Sequence, residues 1–313
     1  MSAAPAEMAG TPRSGIGSIG DFLDRNWKRI VVGTALLWLT LFFLLPFLMV
    51  MKISLADPII ASPPYTPFFG AGGKLQATLD NFRYVLGDGL YAYTYLNSLK
   101  LATTSTILCL LIGYPMAYGI ARAKGHKRVI LLFFVVLPFW TSFLLRVYSW
   151  MGLLGNHGLI NGLLMHFGLV DHPIKLLYTD FAVYLGITYS YLPFIILPLY
   201  ASIERLGDTL NEAAADLGAG PVRTFIDITL PMTAPGILAG SLLVFIPAMG
   251  EYVIPTLLGG PDSLMIGRVL YDEFFFNRDW PAASAVAVIL LLMLIAPIVW
   301  FQHLNGKSQE ADQ

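Results

Sequence analysis

The sequence has little charge, a single cysteine and no nucleotide-binding motif, and each shortage excludes a class of protein. Charged residues make up 12% of the 313 residues and hydrophobic residues 56%, whereas soluble domains carry roughly a quarter charged residues. Cys109 has no second cysteine with which to form an intrachain disulfide. No GxxxxGK[ST] phosphate-binding loop occurs, so this chain is not expected to bind ATP itself. The composition predicts a protein whose solvent is mainly lipid.

The long apolar runs predict an all-α membrane protein with about six transmembrane helices. A helix needs about 20 apolar residues to cross a hydrocarbon core about 30 Å thick. The runs are too long and lack the two-residue alternation of a membrane β-barrel. Trp280 and Trp300 bracket the last run, as interfacial anchors do. Prolines within several runs predict kinked helices. The predicted spans are 30–52, 96–121, 129–153, 181–203, 236–258 and 280–303.

The basic residues predict which side of the membrane each loop faces. Lys and Arg cluster at 25–29, before the first span, and at 122–128, between the second and third. Short loops rich in Lys and Arg stay in the cytoplasm. We therefore expect the N-terminal segment 1–29, the loop 204–235 and the tail 304–313 to be cytoplasmic, around a transmembrane domain at 30–303. The first 26 residues are rich in Ala, Gly, Ser and Pro and predict disorder, with a short helix from Asp21 to Arg29.

The cytoplasmic loop contains the most informative segment, EAAADLGAGPVRTFIDITLP from Glu212 to Pro231. Glu212 and the three alanines after it favour a helix, and Gly218 suits a left-handed C-cap. Gly220 and Pro221 predict a turn, after which a new helix begins at Val222. The apolar residues of this helix, Val222, Phe225, Ile226 and Leu230, can share one face, and Pro231 is expected to end it. The segment therefore predicts two short helices that present small side chains and a carboxylate to a partner.

This segment resembles the hallmark of the permease subunits of bacterial ATP-binding-cassette (ABC) importers. The hallmark reads EAA, three residues, G, nine residues, I, any residue, LP, and every spacing is kept here. The resemblance implies a type I importer permease whose first helix is a coupling helix, docked in a groove of an ATPase subunit. The matching residues, which the resemblance assigns to ATPase coupling, are Glu212, Ala213, Ala214, Gly218, Ile228, Leu230 and Pro231.

The resemblance extends over roughly residues 30–303 to the permeases of spermidine/putrescine importers, with putrescine importers the nearest group. It is carried by LPFWTSFLLRVYSWMGLL at 137–154, GEYVIPTLLGGPDSLMIGRVL at 250–270 and EFFFNRDWPAASA at 273–285. It implies a polyamine importer of the bacterial inner membrane. The implied partners are two copies of an ATPase subunit, a second, different permease and an extracytoplasmic polyamine-binding protein. No cofactor, metal, nucleic acid or catalytic residue is implied.

Two ionised residues inside predicted spans require an explanation, because a charge in hydrocarbon costs at least about 2.5 kcal/mol. Arg146 and Glu251 fall at similar depths in the outer halves of the third and fifth spans. One hypothesis pairs them between helices, and this is the one we favour. The other has Glu251 meet a polyamine ammonium on the substrate path, with Tyr252 or Trp140 near for cation–π contact. Since Pro247 and Pro255 flank Glu251, the fifth span is also expected to be irregular there.

Three rival functions stay open at this point. The same kind of importer could move another small solute, such as an amino acid. A secondary transporter or channel would work without ATP and would not need Glu212. A membrane enzyme would require a nucleophile with a base, or a metal site. The histidines at 157, 166 and 172 share an outer loop, but their spacing does not match a helical metal site.

Overall fold

The computed structural model describes Trp27, Arg29 and residues 31–69, 76–207 and 209–310. Within these residues the chain consists of helices and connecting loops, with an isolated β-bridge between Pro58 and Tyr65. The predicted all-α fold class is confirmed. The chain divides into two compact units, Met1–Lys52 and Ile53–Gln313.

Some expectations fall on residues outside this description. They are the disorder of the first 26 residues, most of the helix predicted from Asp21 to Arg29, and the anchoring side chain of Trp300. For residues 304–310 the structure describes the helical backbone only.

Thirteen helices are labelled here in chain order over the described residues. Long helices alternate with short ones, and several short ones follow directly after a break in a longer apolar run. The helices are α1 Val31–Ser54, α2 Asp80–Gly87, α3 Gly89–Arg122, α4 His126–Val136, α5 Phe143–Leu154, α6 Leu159–His166, α7 Asp180–Leu206, α8 Thr209–Asp216, α9 Pro221–Met232, α10 Ala234–Met249, α11 Val253–Leu258, α12 Ile266–Phe275 and α13 Trp280–Glu310.

Three of these helices, α1, α3 and α7, are long and apolar enough to cross a membrane by themselves. They coincide with the first, second and fourth predicted spans, although α3 begins seven residues earlier than the span predicted from residue 96. Helix α13 begins at the predicted Trp280, and its apolar stretch with described side chains is Trp280–Ile295.

The third and fifth predicted spans, 129–153 and 236–258, are not continuous helices, as the prolines within them predicted. The third breaks after a 3₁₀ turn at Leu137–Trp140, and the two helical parts meet at 92°. The fifth ends at Met249 and restarts at Val253, so the irregularity predicted around Glu251 is present. Helices α9 and α10 form a second bent pair, at 64°. With each bent pair counted as one span, up to five spans are present among the described residues.

Glycines bring α3, α7 and α10 into close contact around Ile195, which is fully buried on α7. A Cβ atom added to Gly240 of α10 would lie 2.9 Å from Ile195 Cγ1 and 3.2 Å from the Ile195 backbone. A Cβ atom on Gly113 of α3 would lie 2.6 Å from Ile195 Cγ2, and one on Gly236 would lie 2.5 Å from Ser202 Cβ. Small residues four apart allow such close approach between membrane helices. The three helices therefore form the packed centre of the larger unit.

Polar contacts group the loops of the larger unit at two ends. At one end Arg128, beside the 123–125 link, forms an ion pair with Glu204 at 2.6 Å and donates to the carbonyls of Ala121 and Ala123. At the other end Ser263 Oγ donates to Asp180 Oδ1 at 2.5 Å. The loops predicted to be cytoplasmic thus share one end, and two loops predicted to be external share the other.

Candidate coupling segment and translocation path

Helix α8 contains the first half of the EAA segment. Glu212 and Ala213 are exposed on it, whereas Ala214 is buried. Gly218 adopts φ +80°, and the amides of Leu217, Gly218 and Ala219 bond back to carbonyls of the last helical turn. The predicted left-handed C-cap at Gly218 is therefore present. This cap turns the chain sharply and leaves the Glu212 face of α8 open.

Helix α9 begins one residue earlier than expected and does not end at Pro231. Pro221 occupies the first turn, where its missing N–H costs nothing. Residues Phe225–Thr229 then form a π-helical turn, and the helix continues through Pro231 to Met232. The expectation that Pro231 closes the helix was wrong, because proline is tolerated in the first turn after the π-helical segment, where a regular backbone bond from its nitrogen is not required.

The predicted apolar face of α9 divides into an inward and an outward part. Phe225 points inward and meets the ring of Tyr114 edge-on at 5.4 Å. Val222 is 70% exposed and Ile226 53%, while Leu217 in the preceding turn is 89% exposed. Ile228 is half-buried, and Leu230 and Pro231 are exposed. The exposed apolar residues next to Glu212 form a surface suited to a protein partner.

Arg146 and Glu251 do not pair, so the favoured hypothesis was wrong for this structure. Glu251 is 7% exposed, and its Oε2 accepts a hydrogen bond from Tyr191 OH at 2.5 Å. Its Oε1 accepts from the backbone amides of Tyr252, Val253 and Ile254 at 3.1, 2.9 and 3.3 Å. The carboxylate therefore lies over the amides that begin α11 and ties the break in the fifth span to α7. Amides at a helix start favour a negative charge.

Arg146 finds its partners within its own bent span, although its Nε is buried and has no hydrogen-bond partner among the described residues. Its Nη1 donates to the carbonyl of Pro138 at 2.8 Å, across the 92° break. The guanidinium also lies 5.7 Å from the ring centre of Phe139 and 5.9 Å from that of Phe143. Such contacts stabilise a cation without a carboxylate partner. The pair hypothesis failed because each break exposes backbone polar groups that are nearer than the opposite charge.

The two aromatic candidates occupy different surroundings. Tyr252 is half-buried and stacks on Tyr271 of α12 with ring centres 4.2 Å apart. Trp140 is 76% exposed and touches Phe133. Tyr252 directly follows Glu251 at the break in the fifth span, whereas Trp140 lies with Arg146 at the 92° break in the third span. The four residues considered for the substrate path therefore lie in two pairs, one at each break.

Sequence reasoning missed Tyr191 and the glycines of α10. Tyr191 holds Glu251 and also lines a mostly apolar groove of about 580 Å³ with residues of α10, including Ala239 and Pro247. A tyrosine in the middle of an apolar run gives only a weak indication of a functional role. The glycines could have been found from the sequence, because Gly236 and Gly240 form a GxxxG pattern, which is typical of close packing between membrane helices.

Comparison with known proteins gives one family and several relatives. The family model described as "Binding-protein-dependent transport system inner membrane component" matches residues 15–308. The spermidine/putrescine transport system permease protein PotB of Haemophilus influenzae is 39% identical over 283 residues, covering 90% of this chain and 96% of that protein. PotB of Escherichia coli K12 is 41% identical over 265 residues, covering 84% and 93%.

Solved structures support the fold. A bacterial ABC transporter that imports the acidic polysaccharide alginate contains a chain that matches with a TM-score of 0.68 at 16% identity, covering 93% of this chain and 99% of that one. A second structure, of the alginate transporter in complex with a periplasmic protein bound to an alginate pentasaccharide, matches with a TM-score of 0.69 at 16% identity. At this level of identity the likeness shows the shared architecture.

Proposed function

Because the chain belongs to the family of binding-protein-dependent transport system inner membrane components, we propose that it forms half of the channel of an ATP-driven polyamine importer. It is a transport permease of the ABC class and not an enzyme. Permeases of this class are inner-membrane proteins that work with an ATPase and a binding protein. The proposal adds two ATPase copies, a second and different permease, and cytoplasmic N- and C-termini.

The polyamine assignment rests on the identity of 39–41% with two PotB proteins over most of this chain. Under the proposal the substrate is putrescine, with spermidine as the alternative, and a separate binding protein makes the selection. The structural neighbours from the alginate importer share 16% identity with this chain, so they support only the fold. The polyamine assignment depends on the PotB relatives alone.

Coupling to ATP is assigned to α8 and the turn after it. The exposed carboxylate of Glu212 is placed to accept hydrogen bonds from an arginine of the ATPase, while Ala213 lets that surface approach closely. The apolar side chains of Leu217 and Val222 flank it. The shape of this docking surface depends on the remaining residues of the EAA pattern, which are Ala214, Gly218, Ile228, Leu230 and Pro231.

The substrate path is assigned to the break in the fifth span. The polyamine passes the stacked rings of Tyr252 and Tyr271, which offer an ammonium group a cation–π surface. Glu251 contributes a negative potential there, although its oxygens are held by four hydrogen bonds. Trp140 and Arg146 act at the neighbouring break in the third span, where Arg146 keeps the bent backbone together.

The deciding experiment is uptake by proteoliposomes that contain this chain with its candidate permease, ATPase and binding-protein partners. Putrescine, spermidine and an amino acid are compared with and without ATP. We expect ATP-dependent uptake of a polyamine. Uptake that persists without the ATPase contradicts the coupling claim, and uptake of the amino acid alone contradicts only the substrate.

The variant Glu212→Ala tests the coupling surface, and Asp216→Ala, one turn along the same exposed helix, is its matched control. Loss of a charge-assisted hydrogen bond costs about 1.5–3 kcal/mol, so ATPase binding is expected to weaken about tenfold or more. Uptake should fall with Glu212→Ala and stay near the wild-type rate with Asp216→Ala. Equal behaviour of the two variants contradicts the assignment of Glu212.

A further inference from the structure

A chain of hydrogen bonds connects α8 to the membrane helix α3 through buried hydroxyl groups. Thr229 Oγ1 donates to Asn211 Oδ1 of α8 at 3.3 Å. Thr233 Oγ1 donates to the carbonyl oxygen of Thr229 at 2.8 Å, and Thr233 Oγ1 also lies 2.9 Å from Tyr114 OH of α3. We call these four residues, Asn211, Thr229, Thr233 and Tyr114, the hydroxyl chain.

The directions of these bonds follow from counting protons. A threonine hydroxyl has one hydrogen to donate and lone pairs with which to accept. Thr233 Oγ1 lies within hydrogen-bond distance of the carbonyl oxygens of Thr229 and Leu230, so its one hydrogen can serve a carbonyl while its oxygen accepts the hydrogen of Tyr114 OH. The hydrogen of Thr229 goes to Asn211. Removal of the Thr233 hydroxyl leaves Tyr114 OH without its partner, removal of the Thr229 hydroxyl does the same to Asn211, and removal of the Tyr114 hydroxyl breaks the link to α3.

The hydroxyl chain passes through the two irregular points of the segment. Thr229 ends the π-helical turn, and Thr233 occupies the 64° bend between α9 and α10. Thr229 is 1% exposed, Thr233 0% and Tyr114 8%. Hydrogen bonds away from water are strong and costly to leave unmade. A bend whose backbone is held by such bonds moves as a unit with the helices on either side.

A cavity beside α8 gives the hydroxyl chain room to move. It measures about 240 Å³ and is lined by Asn211 and Thr229, together with Ala215 and Phe225. The amide nitrogen of Asn211 is buried and finds no hydrogen-bond partner among the described residues. A buried donor without an acceptor destabilises the arrangement that contains it. A movement of this amide nitrogen toward the cavity therefore breaks no hydrogen bond of its own.

We infer that the hydroxyl chain transmits movement of α8 into α3 and so couples ATP hydrolysis to opening of the path. This inference rests on the proposed function and adds positioning residues to it. Asn211 moves with α8 and is bonded to Thr229. Thr229 and Thr233 connect the two sides of the bend, and the bond between Thr233 and Tyr114 moves α3 with them. The edge-on contact of Phe225 with Tyr114 guides the same movement but does not replace the hydrogen bonds.

The test compares hydroxyl-deleting variants with matched controls in the reconstituted complex. The test variants are Tyr114→Phe, Thr229→Val and Thr233→Val. Tyr95→Phe is one control, because Tyr95 is as buried as Tyr114 on the same helix α3 and donates to the carbonyl oxygen of Val286, away from the cavity. Thr106→Val is the other, because the buried Thr106 hydroxyl of α3 donates to the carbonyl oxygen of Ala102 within its own helix. Uptake per ATP hydrolysed is measured together with ATPase activity without binding protein.

We expect each test variant to lower uptake per ATP about fivefold, as for the loss of one hydrogen bond, while hydrolysis without binding protein stays within about twofold. The controls should retain wild-type coupling. Thr229→Ser and Thr233→Ser keep the hydroxyl and should also couple normally, which separates the hydroxyl from any effect of folding. Test variants that couple as well as the controls overturn the inference.

A double-mutant cycle of Asn211→Ala with Thr229→Val checks that these two residues act as one unit. Their effects on coupling should be non-additive, and Asn211→Asp, which keeps the accepting oxygen, should stay close to wild type. Additive effects contradict a shared bond. The proposed function fails separately, if the wild-type complex shows no ATP-driven polyamine uptake at all.

Discussion

At the scale of single residues, backbone groups exposed at helix breaks decide where the buried charges go. Glu251 and Arg146 carry opposite charges, yet each binds polar backbone atoms next to a break. An ion pair buried in a low-dielectric interior gains little after desolvation, whereas a carboxylate that accepts three amides also satisfies donors that would otherwise be buried without partners. The break and the charge thus stabilise each other.

This arrangement predicts different outcomes for two substitutions of Glu251. Glu251→Ala leaves the amides of α11 and the hydroxyl of Tyr191 without an acceptor, so we expect a loss of roughly 1–3 kcal/mol of stability. Glu251→Gln keeps an accepting oxygen and should fold normally. Thermal unfolding of the purified permease complex in detergent measures the difference.

Uptake measured with Glu251→Gln then isolates the charge from the hydrogen bonds. A lower rate of polyamine uptake in a stable protein is expected if the negative potential assists the substrate. Tyr191→Phe serves as a partial control, since it removes one of the four hydrogen bonds and keeps the charge. Equal destabilisation by Glu251→Gln and Glu251→Ala would contradict the helix-capping role.

At the scale of elements, glycines allow three membrane helices to meet at one isoleucine. Without a hydrophobic driving force in lipid, helix association depends on close packing. Ile195 of α7 fills the space left by Gly113 on α3 and Gly240 on α10. This contact explains why prolines within α3 and α7 leave both helices continuous, since the neighbours hold the local backbone in place.

The substitution Gly240→Ala tests this junction. Its Cβ atom would meet backbone atoms of Ile195 at 3.2 Å, so the helices must separate, and overpacking of this kind costs about 1–3 kcal/mol. Gly119→Ala is the matched control, because a Cβ atom there meets nothing within 4 Å. We expect a lower unfolding temperature and weaker uptake for Gly240→Ala only. Similar unfolding temperatures for both variants would show that the junction tolerates extra volume.

The sequence predicted the elements better than their breaks. Apolar length placed the helices, and Pro247 and Pro255 located the irregularity at Glu251. Pro138 likewise indicated a kink in the third span, but the 92° angle and the bond from Arg146 back to the Pro138 carbonyl were not predicted, because they depend on contacts across the break. The EAA spacing placed α8 and its Gly218 cap, whereas the continuation of α9 past Pro231 depends on a π-helical turn that no local pattern indicated.

At the scale of the whole molecule, the two ends of the larger unit carry different chemistry. One end has the Arg128–Glu204 pair and the exposed apolar residues around α8. The other has the Asp180–Ser263 contact and the loop containing Ile60, which lines a pocket together with Asn277 and Asp279. The excess of Lys and Arg in the 122–128 link predicts that the first end faces the cytoplasm. Under the proposed function the ATPase binds at that end, since ATP is available there.

Site-specific labelling tests this orientation, and the native cysteine makes it practicable. Cys109 is fully buried, so the folded wild-type protein should resist a membrane-impermeant maleimide until it is denatured. In a Cys109→Ala background we place one cysteine by Ile60→Cys and another, in a separate protein, by Leu217→Cys. Ile60 and Leu217 are both strongly exposed, so access depends on the side of the membrane.

Intact cells should label the Ile60→Cys protein, and inverted membrane vesicles should label the Leu217→Cys protein. Addition of the ATPase subunit should slow labelling of Leu217→Cys severalfold and leave Ile60→Cys unchanged, because the ATPase covers the surface around α8. The opposite pattern of access would reverse the membrane orientation. Labelling of Leu217→Cys that the ATPase does not slow would instead remove α8 from the docking surface, even with the orientation correct.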